Sequence, residues 1–131
     1  MLVMDDEVVV RKVATDMLEF LGYTVTACAS GGEMLVLYQQ ALAAGQPFDL
    51  VLMDLTIPGG MGGVEAVRRL RLLDPDACAI VSSGYSNDPV FADPAAFGFQ
   101  GLVAKPYRVD DLGRAVGAVL RGSRQDLVSG V

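Results

Sequence analysis

The apolar run Phe48-Asp49-Leu50-Val51-Leu52-Met53 ends in a carboxylate, Asp54, and the cluster Pro58-Gly59-Gly60-Met61-Gly62-Gly63 follows. Such a run, rich in Val and Leu and stopped by Pro and Gly, reads as a strand buried on both faces of a parallel sheet. A carboxylate at its carboxyl end is costly to bury. It either meets a cation or does chemistry at the sheet edge, where open α/β folds bind ligands. A turn or a helix cap is the bland alternative for any single Asp. The residues at the other strand ends weigh against it here: Asp5-Asp6-Glu7 after Leu2-Val3-Met4, Ser82-Ser83-Gly84 at the end of a fourth strand, and Lys105-Pro106 at the end of a fifth.

In a doubly wound sheet of order 2-1-3-4-5, strands one and three are neighbours where the winding reverses, so Asp5, Asp6 and Asp54 border one crevice. Three carboxylates without a counter-ion raise one another's pKa values. Mg2+, which takes oxygen ligands from one or two carboxylates, a backbone carbonyl and several waters, relieves this. Mg2+ and Lys105 would screen an incoming phosphoryl group while the Asp54 carboxylate attacks phosphorus in line, leaving an acyl phosphate on Asp54. Ser83 is placed to donate to one of the new phosphoryl oxygens. Drawing it inward would move the following loop, so the reaction doubles as a switch.

The elements that must position these groups follow from the pattern. The 131 residues are one domain's worth, and apolar strand-like and helical segments alternate without repeats or long linkers. That alternation predicts an α/β fold with a single five-stranded parallel sheet and helices on both faces. Residues 8–21 carry a stripe of Val10, Val13, Met17, Leu18 and Leu21 stopped by Gly22. A second strand is expected over 24–29, then Ser30 as N-cap and a helix marked by Met34, Leu35, Leu37, Tyr38 and Leu42. Val64, Val67, Leu70 and Arg71 mark a third helix with its arginines partly in solvent, and 77–82 a fourth strand. Asp93-Pro94 falls where the fourth helix should continue, so that element is expected to be short or broken. Leu112, Ala115, Val116, Val119 and Leu120 predict a last helix stopping near Gly122, with 123–131 a tail or linker.

Ten basic residues against sixteen acidic ones, a net charge of −6, argue against direct binding to nucleic acid or to an anionic membrane. No apolar stretch approaches a membrane span and no leader pattern is evident, so a cytoplasmic protein is expected. Cys28 and Cys78, without metal-type spacing, read as buried thiols in a reducing compartment. With no histidine, His-based catalysis is excluded.

The pattern Asp5-Asp6-Glu7, Asp54, Ser83-Gly84 and Lys105-Pro106, each piece at the end of the right strand, resembles the receiver domain of two-component response regulators. The resemblance covers residues 2 to about 121 and implies a flavodoxin-like receiver domain over 1–122. It implies that Asp54 is the phosphoacceptor, that Asp5 and Asp6 carry Mg2+ with the backbone carbonyl of Thr56 as a further ligand, that Ser83 is the switch hydroxyl, and that Lys105 pairs with the phosphate. It also implies a histidine kinase or histidine phosphotransfer protein as partner, self-catalysed dephosphorylation, and no activity of the conventional enzyme kind. The segments Leu55 to Gly63, Ser82 to Ser86 and Lys105-Pro106-Tyr107 are similar to receivers attached to hybrid sensor histidine kinases. The start of the first strand beside Met1 fits a domain cut from such a longer chain, and a homodimer is compatible with the family.

Three departures stand out. The loop Pro58 to Gly63 is one residue longer than the usual form; Leu102 stands where the family often places an aromatic switch residue, with Tyr85 and Tyr107 nearby reading as packing aromatics; and Pro94 makes the fourth helix an unusual output surface. Thr56 and Tyr85, each two residues beyond a functional residue, are expected to flank the path of the attacking water and, with Gly84, to tune the lifetime of the phosphorylated state. A phosphatase of the haloacid-dehalogenase type needs an acid two residues after the nucleophile, where this chain has Thr56. A pseudo-receiver that only binds a partner has no need of so costly an acidic cluster.

Overall fold

The computed structural model describes residues 1–57, 60–84 and 88–129, and of 123–129 the backbone alone. Five strands, β1 (Leu2–Met4), β2 (Thr26–Cys28), β3 (Val51–Asp54), β4 (Ala79–Ser83) and β5 (Gly101–Ala104), form one parallel sheet of order β2-β1-β3-β4-β5. Five helices cover it: α1 (Val8–Phe20), α2 (Gly31–Ala43), α3 (Gly63–Leu73), α4 (Pro89–Ala92) and α5 (Val109–Ser129), with a 3-10 turn over Pro94–Phe97. This is the flavodoxin-like architecture expected from the strand–helix alternation.

Alternation along each strand divides the core in two, because successive side chains leave a strand on opposite faces. Leu2, Met4, Val51, Met53, Ala79 and Val81 pack with Met34 and Tyr38 of α2 and Val67 and Leu70 of α3. Val3, Leu50, Leu52, Ile80 and Val103 pack with Ala14 and Leu18 of α1 and Leu112, Val116 and Val119 of α5. Both faces of β3 are therefore dry, which explains its lack of a polar stripe.

Local signals set the helix ends. Ser30 accepts from Glu33 N at 3.2 Å, and the Glu33 carboxylate takes Ala29 N at 3.2 Å. After α1, Gly22 (φ +100°) supplies the left-handed turn, with Tyr23 N donating to Leu18 O and Gly22 N to Glu19 O. The expected break in the fourth helix is present: α4 has four residues, and the chain restarts at Pro94, with Asp93 capping the turn at Ala96 N.

Other expectations need correction. Val13, Leu21 and Val64 face solvent, so the buried stripes are narrower than the sequence suggested; α1 buries only Ala14 and Leu18 fully. The second strand is three residues rather than six. Cys28 is buried, and burial pushes its thiol up to about 11, but Cys78 is only half-buried and precedes β4; the two are not joined in a disulfide. Helix α5 does not stop near Gly122 but runs to Ser129. Gly122 keeps a helical conformation and is not among the glycines of positive φ, so no left-handed turn ends the helix there. Among the described residues no helix is long and apolar enough to cross a membrane.

The two helices of the α2/α3 layer are joined by a polar contact: Tyr38, 1% exposed, donates from its hydroxyl to Asp74 Oδ2 at 2.6 Å, at the C-cap of α3. Tyr38→Phe keeps the ring and removes a hydrogen bond to a charged group, so urea unfolding should show a loss of about 2 kcal/mol.

Candidate active site

The sheet order brings the carboxyl ends of β1, β3, β4 and β5 to one rim. The buried polar or charged side chains of the described residues are Asp5, Asp54, Ser82 and Ser83, and all four lie there. Burying that much polarity in one place is costly unless each group is partnered.

Asp54 is the last residue of β3 and pairs in register with Ser82 of β4. Asp5 follows β1; its N–H donates to Cys28 O, and its Oδ1 accepts from Glu7 N at 3.0 Å. Arg11 of α1 donates from Nη1 to the Asp5 carbonyl at 2.8 Å, tying the start of that helix to the acidic turn. Asp6 is exposed. One carboxylate oxygen from each of Asp5, Asp6 and Asp54 lies within 4.8 Å of the others.

The Lys105 ammonium reaches into this cluster from the end of β5, 2.8 Å from Asp5 Oδ2 and 3.0 Å from Asp54 Oδ1, with its side chain 16% exposed. Its own N–H donates to Ser83 O at 3.0 Å, which holds the β5 end to the last residue of β4. Burial raises the Asp54 pKa; the hydrogen bond and charge of Lys105 and the Thr56 N–H offset only part of this, and the Asp5 carboxylate adds to it. For Lys105 burial works in the lowering direction, but the oxygens of Asp5 and Asp54 outweigh it and the pKa is raised. The ammonium is well served and Asp54 is not, because two buried carboxylates share one ammonium.

That excess of negative charge bears on the metal. Asp5 Oδ2 is buried, and its one close partner among the described residues is the Lys105 ammonium at 2.8 Å, which it shares with Asp54. An under-partnered oxygen beside two further carboxylates is a hard-donor set that fits Mg2+ and suits soft metals poorly. Asp5, Asp6 and Asp54 form the acidic triad of a Mg2+ site.

Of the remaining residues singled out in the sequence, Ser83 is buried at the end of β4, Gly84 is exposed beyond it, and Thr56 is exposed with its N–H directed at Asp54. Tyr85 lies outside the described residues, as do Pro58 and Gly59 of the Gly-rich loop. Leu102 is half-buried against the α2/α3 core. Tyr107 is packed, as expected of it, but does more than pack: its hydroxyl donates to Ser82 Oγ at 2.7 Å. Gly63 was not singled out either. A Cβ there would stand 2.9 Å from Asp54 O and 3.1 Å from Leu55 Cα, so the start of α3 needs glycine to approach the end of β3. The run of glycines in that loop was the available signal, though it does not say which one is pressed against Asp54.

The geometry agrees with the comparisons to known proteins. The chain is 32% identical over 120 residues to an uncharacterized transcriptional regulatory protein, YkoG, of Bacillus subtilis, covering 92% of this chain and 50% of that protein. It is 33% identical over 119 residues to the sensor kinase CckA of Brucella abortus, covering 91% of this chain and 12% of that one. The chain thus spans half or less of the length of these curated relatives. A solved two-component response regulator of the LuxR family from Aurantimonas sp. SI85-9A1 superposes with a TM-score of 0.80 at 32% identity, over 92% of this chain and 84% of that one. The family model described as the response regulator receiver domain matches residues 1–117, nearly the whole folded unit including all three acidic residues, Ser83 and Lys105, and the chain belongs to that family.

Proposed function

We propose that this chain is a phosphoacceptor signalling receiver, in which Mg2+-dependent phosphorylation of Asp54 by a histidine kinase or a histidine phosphotransfer protein switches a partner-binding surface. The observation that carries this reading is the Lys105 ammonium lodged between the carboxylates of Asp5 and Asp54, with Asp6 on the solvent side. An Asp54 oxygen forms the bond to phosphorus as the donor's P–N or P–O bond breaks and its electron pair leaves with the donor. Asp5, Asp6, Asp54 and the Thr56 carbonyl would hold Mg2+, and the bound ion would supply Lewis-acid stabilisation of the phosphoryl oxygens. Lys105 then exchanges part of its contact with Asp54 for a phosphoryl oxygen, and Ser83 donates to another. Water then attacks phosphorus, the Asp54 O–P bond breaks with its electron pair returning to the carboxylate, and inorganic phosphate leaves, with Thr56, Gly84 and Tyr85 tuning the lifetime.

Residues 1–122 act as the receiver unit and 123–131 as its tail or linker. The kinship with sensor kinases and with regulators longer than this chain supports a cytoplasmic receiver working beside, or covalently linked to, a kinase domain, with a homodimer as one output. The test is intact mass after incubation with acetyl phosphate. One phosphoryl group should be gained with Mg2+, none without it, and none in Asp54→Ala; an adduct that survives in the variant would remove Asp54 from this role.

A further inference from the structure

Ser82 is a polar residue on the face of β4 that carries apolar Ile80 two positions earlier. It is 0% exposed, flanked in register by Asp54 on one side and Val103 on the other. Tyr107, 9% exposed and two residues beyond Lys105, donates to Ser82 Oγ at 2.7 Å, and Ser82 Oγ in turn reaches Met53 O at 3.4 Å. The backbone of Ser82 is engaged as well, its carbonyl accepting from Leu55 N at 2.9 Å. A chain of hydroxyls thus runs from the segment after β5, through the end of β4, to the peptide that carries Asp54. Burial pushes the Tyr107 phenol up to about 12, so it stays a neutral donor. Its partner Ser82 pairs in register with Asp54, and Lys105 lies two residues before it in the chain, which places the phenol beside the acidic pocket.

A ring at position 107 is enough to fill the space between the sheet and α5. Phenylalanine would do that without leaving a polar atom to satisfy. A buried tyrosine hydroxyl aimed at a buried serine hydroxyl, beside the acceptor carboxylate, holds two strand ends at a fixed separation. We propose that Tyr107 is a positioning residue for phosphoryl transfer, acting through Ser82 to hold the Lys105 end of β5 in register with the Asp54 end of β3. This rests on the reading of Asp54 as phosphoacceptor. The ammonium must stand within reach of both Asp54 and the incoming phosphoryl oxygens, and it is carried by a segment that the sheet itself stops supporting at Ala104. The Lys105 N–H to Ser83 O bond is one restraint on that segment, and the Tyr107 hydroxyl is the next.

The experiment compares the parent with Tyr107→Phe, Ser82→Ala and the double variant in two measurements. In the first, the initial rate of phosphorylation by acetyl phosphate at saturating Mg2+ should fall about 3- to 10-fold in each single variant, the scale of one buried hydrogen bond. The double variant should be no slower than the worse single one, since both changes break one connection. In the second, without Mg2+, amide hydrogen exchange should quicken at Leu55 and Lys105, bonded to the carbonyls of Ser82 and Ser83, while Val51, bonded to Cys78 O, keeps its protection. A parent-like rate in folded Tyr107→Phe, additive losses in the double variant, or exchange that quickens equally throughout the sheet would each overturn the proposal and leave Tyr107 a packing residue. If the parent takes no phosphoryl group, the phosphoacceptor reading fails separately and the exchange pattern decides whether the hydroxyl chain positions the site. If Tyr107→Phe does not fold, Ser82→Ala carries the same comparison.

Discussion

Lys105→Met should unfold at markedly lower urea concentration than the parent at neutral pH without Mg2+, losing about 3 kcal/mol, because it leaves Asp5 and Asp54 facing each other in a buried pocket without their shared cation. The sign with pH follows from the ionisations. The folded-state pKa of Lys105 is raised, so its contribution is complete below the ordinary value of 10.5 and is lost as pH rises through the folded value. The deficit of the variant should therefore be full at pH 7. It should shrink as pH falls toward the ordinary aspartate value of 3.8, because Asp54, whose pKa burial raises above that value, takes up a proton on the way. Added Mg2+ should stabilise the variant more than the parent, since the metal then supplies positive charge to carboxylates that have lost the Lys105 ammonium. Phosphorylation by acetyl phosphate should drop by about 10²-fold, the usual scale for removing one preorganised positive group from a developing anionic centre. A variant as stable as the parent across pH 4 to 8, measured by urea unfolding at each pH, would mean that Lys105 does not offset the acidic pair.

Asp54→Asn has the opposite signature: complete loss of phosphoryl incorporation together with greater stability. Since the Asp54 pKa is raised, the folded state holds a proton there more tightly than the unfolded chain does. Its contribution to stability is present below 3.8 and is lost as pH rises through the folded value, so at neutral pH the ionised side chain is a burden. An amide of the same shape removes that burden while Asp5 keeps its contact with Lys105. The stability gain should appear at pH 7 and vanish below 3.8. A neutral-pH loss of stability in Asp54→Asn would mean that the Lys105–Asp54 pair outweighs the cost of burying the charge. Together with Lys105→Met, the two unfolding series separate what the pocket costs from what its one ammonium restores.

The short fourth helix shows how far residue types alone can carry a prediction. Proline at position 94 removes a donor and clashes with the preceding turn, whatever surrounds it, so a break there follows from covalent chemistry. The left-handed turns at Gly22 and Gly45 are equally local, as is the Ser30 cap. Helix faces were less legible: Val13, Leu21 and Val64 fit a helical stripe, but whether a helix buries three residues across its width or two depends on how it rolls on the sheet. The end of α5 is less legible, because a glycine permits a left-handed stop without imposing one, and Gly122 stays helical.

The same division runs through the site. Strand-terminal Asp5, Asp54, Ser83 and Lys105 stand out in the chain because buried parallel strands read as apolar runs, and a polar residue closing such a run is placed at the sheet edge by backbone geometry. Strand order then sends those ends to a common rim. Distance lies beyond such patterns. That one ammonium serves two carboxylates, that Gly63 presses on the Asp54 carbonyl, and that Tyr107 bonds Ser82 across 25 positions all depend on side-chain packing between elements remote in sequence. Period and composition describe which face a residue occupies, whereas a hydrogen bond requires two particular atoms within about 3 Å, and only the packed helices and sheet bring them there.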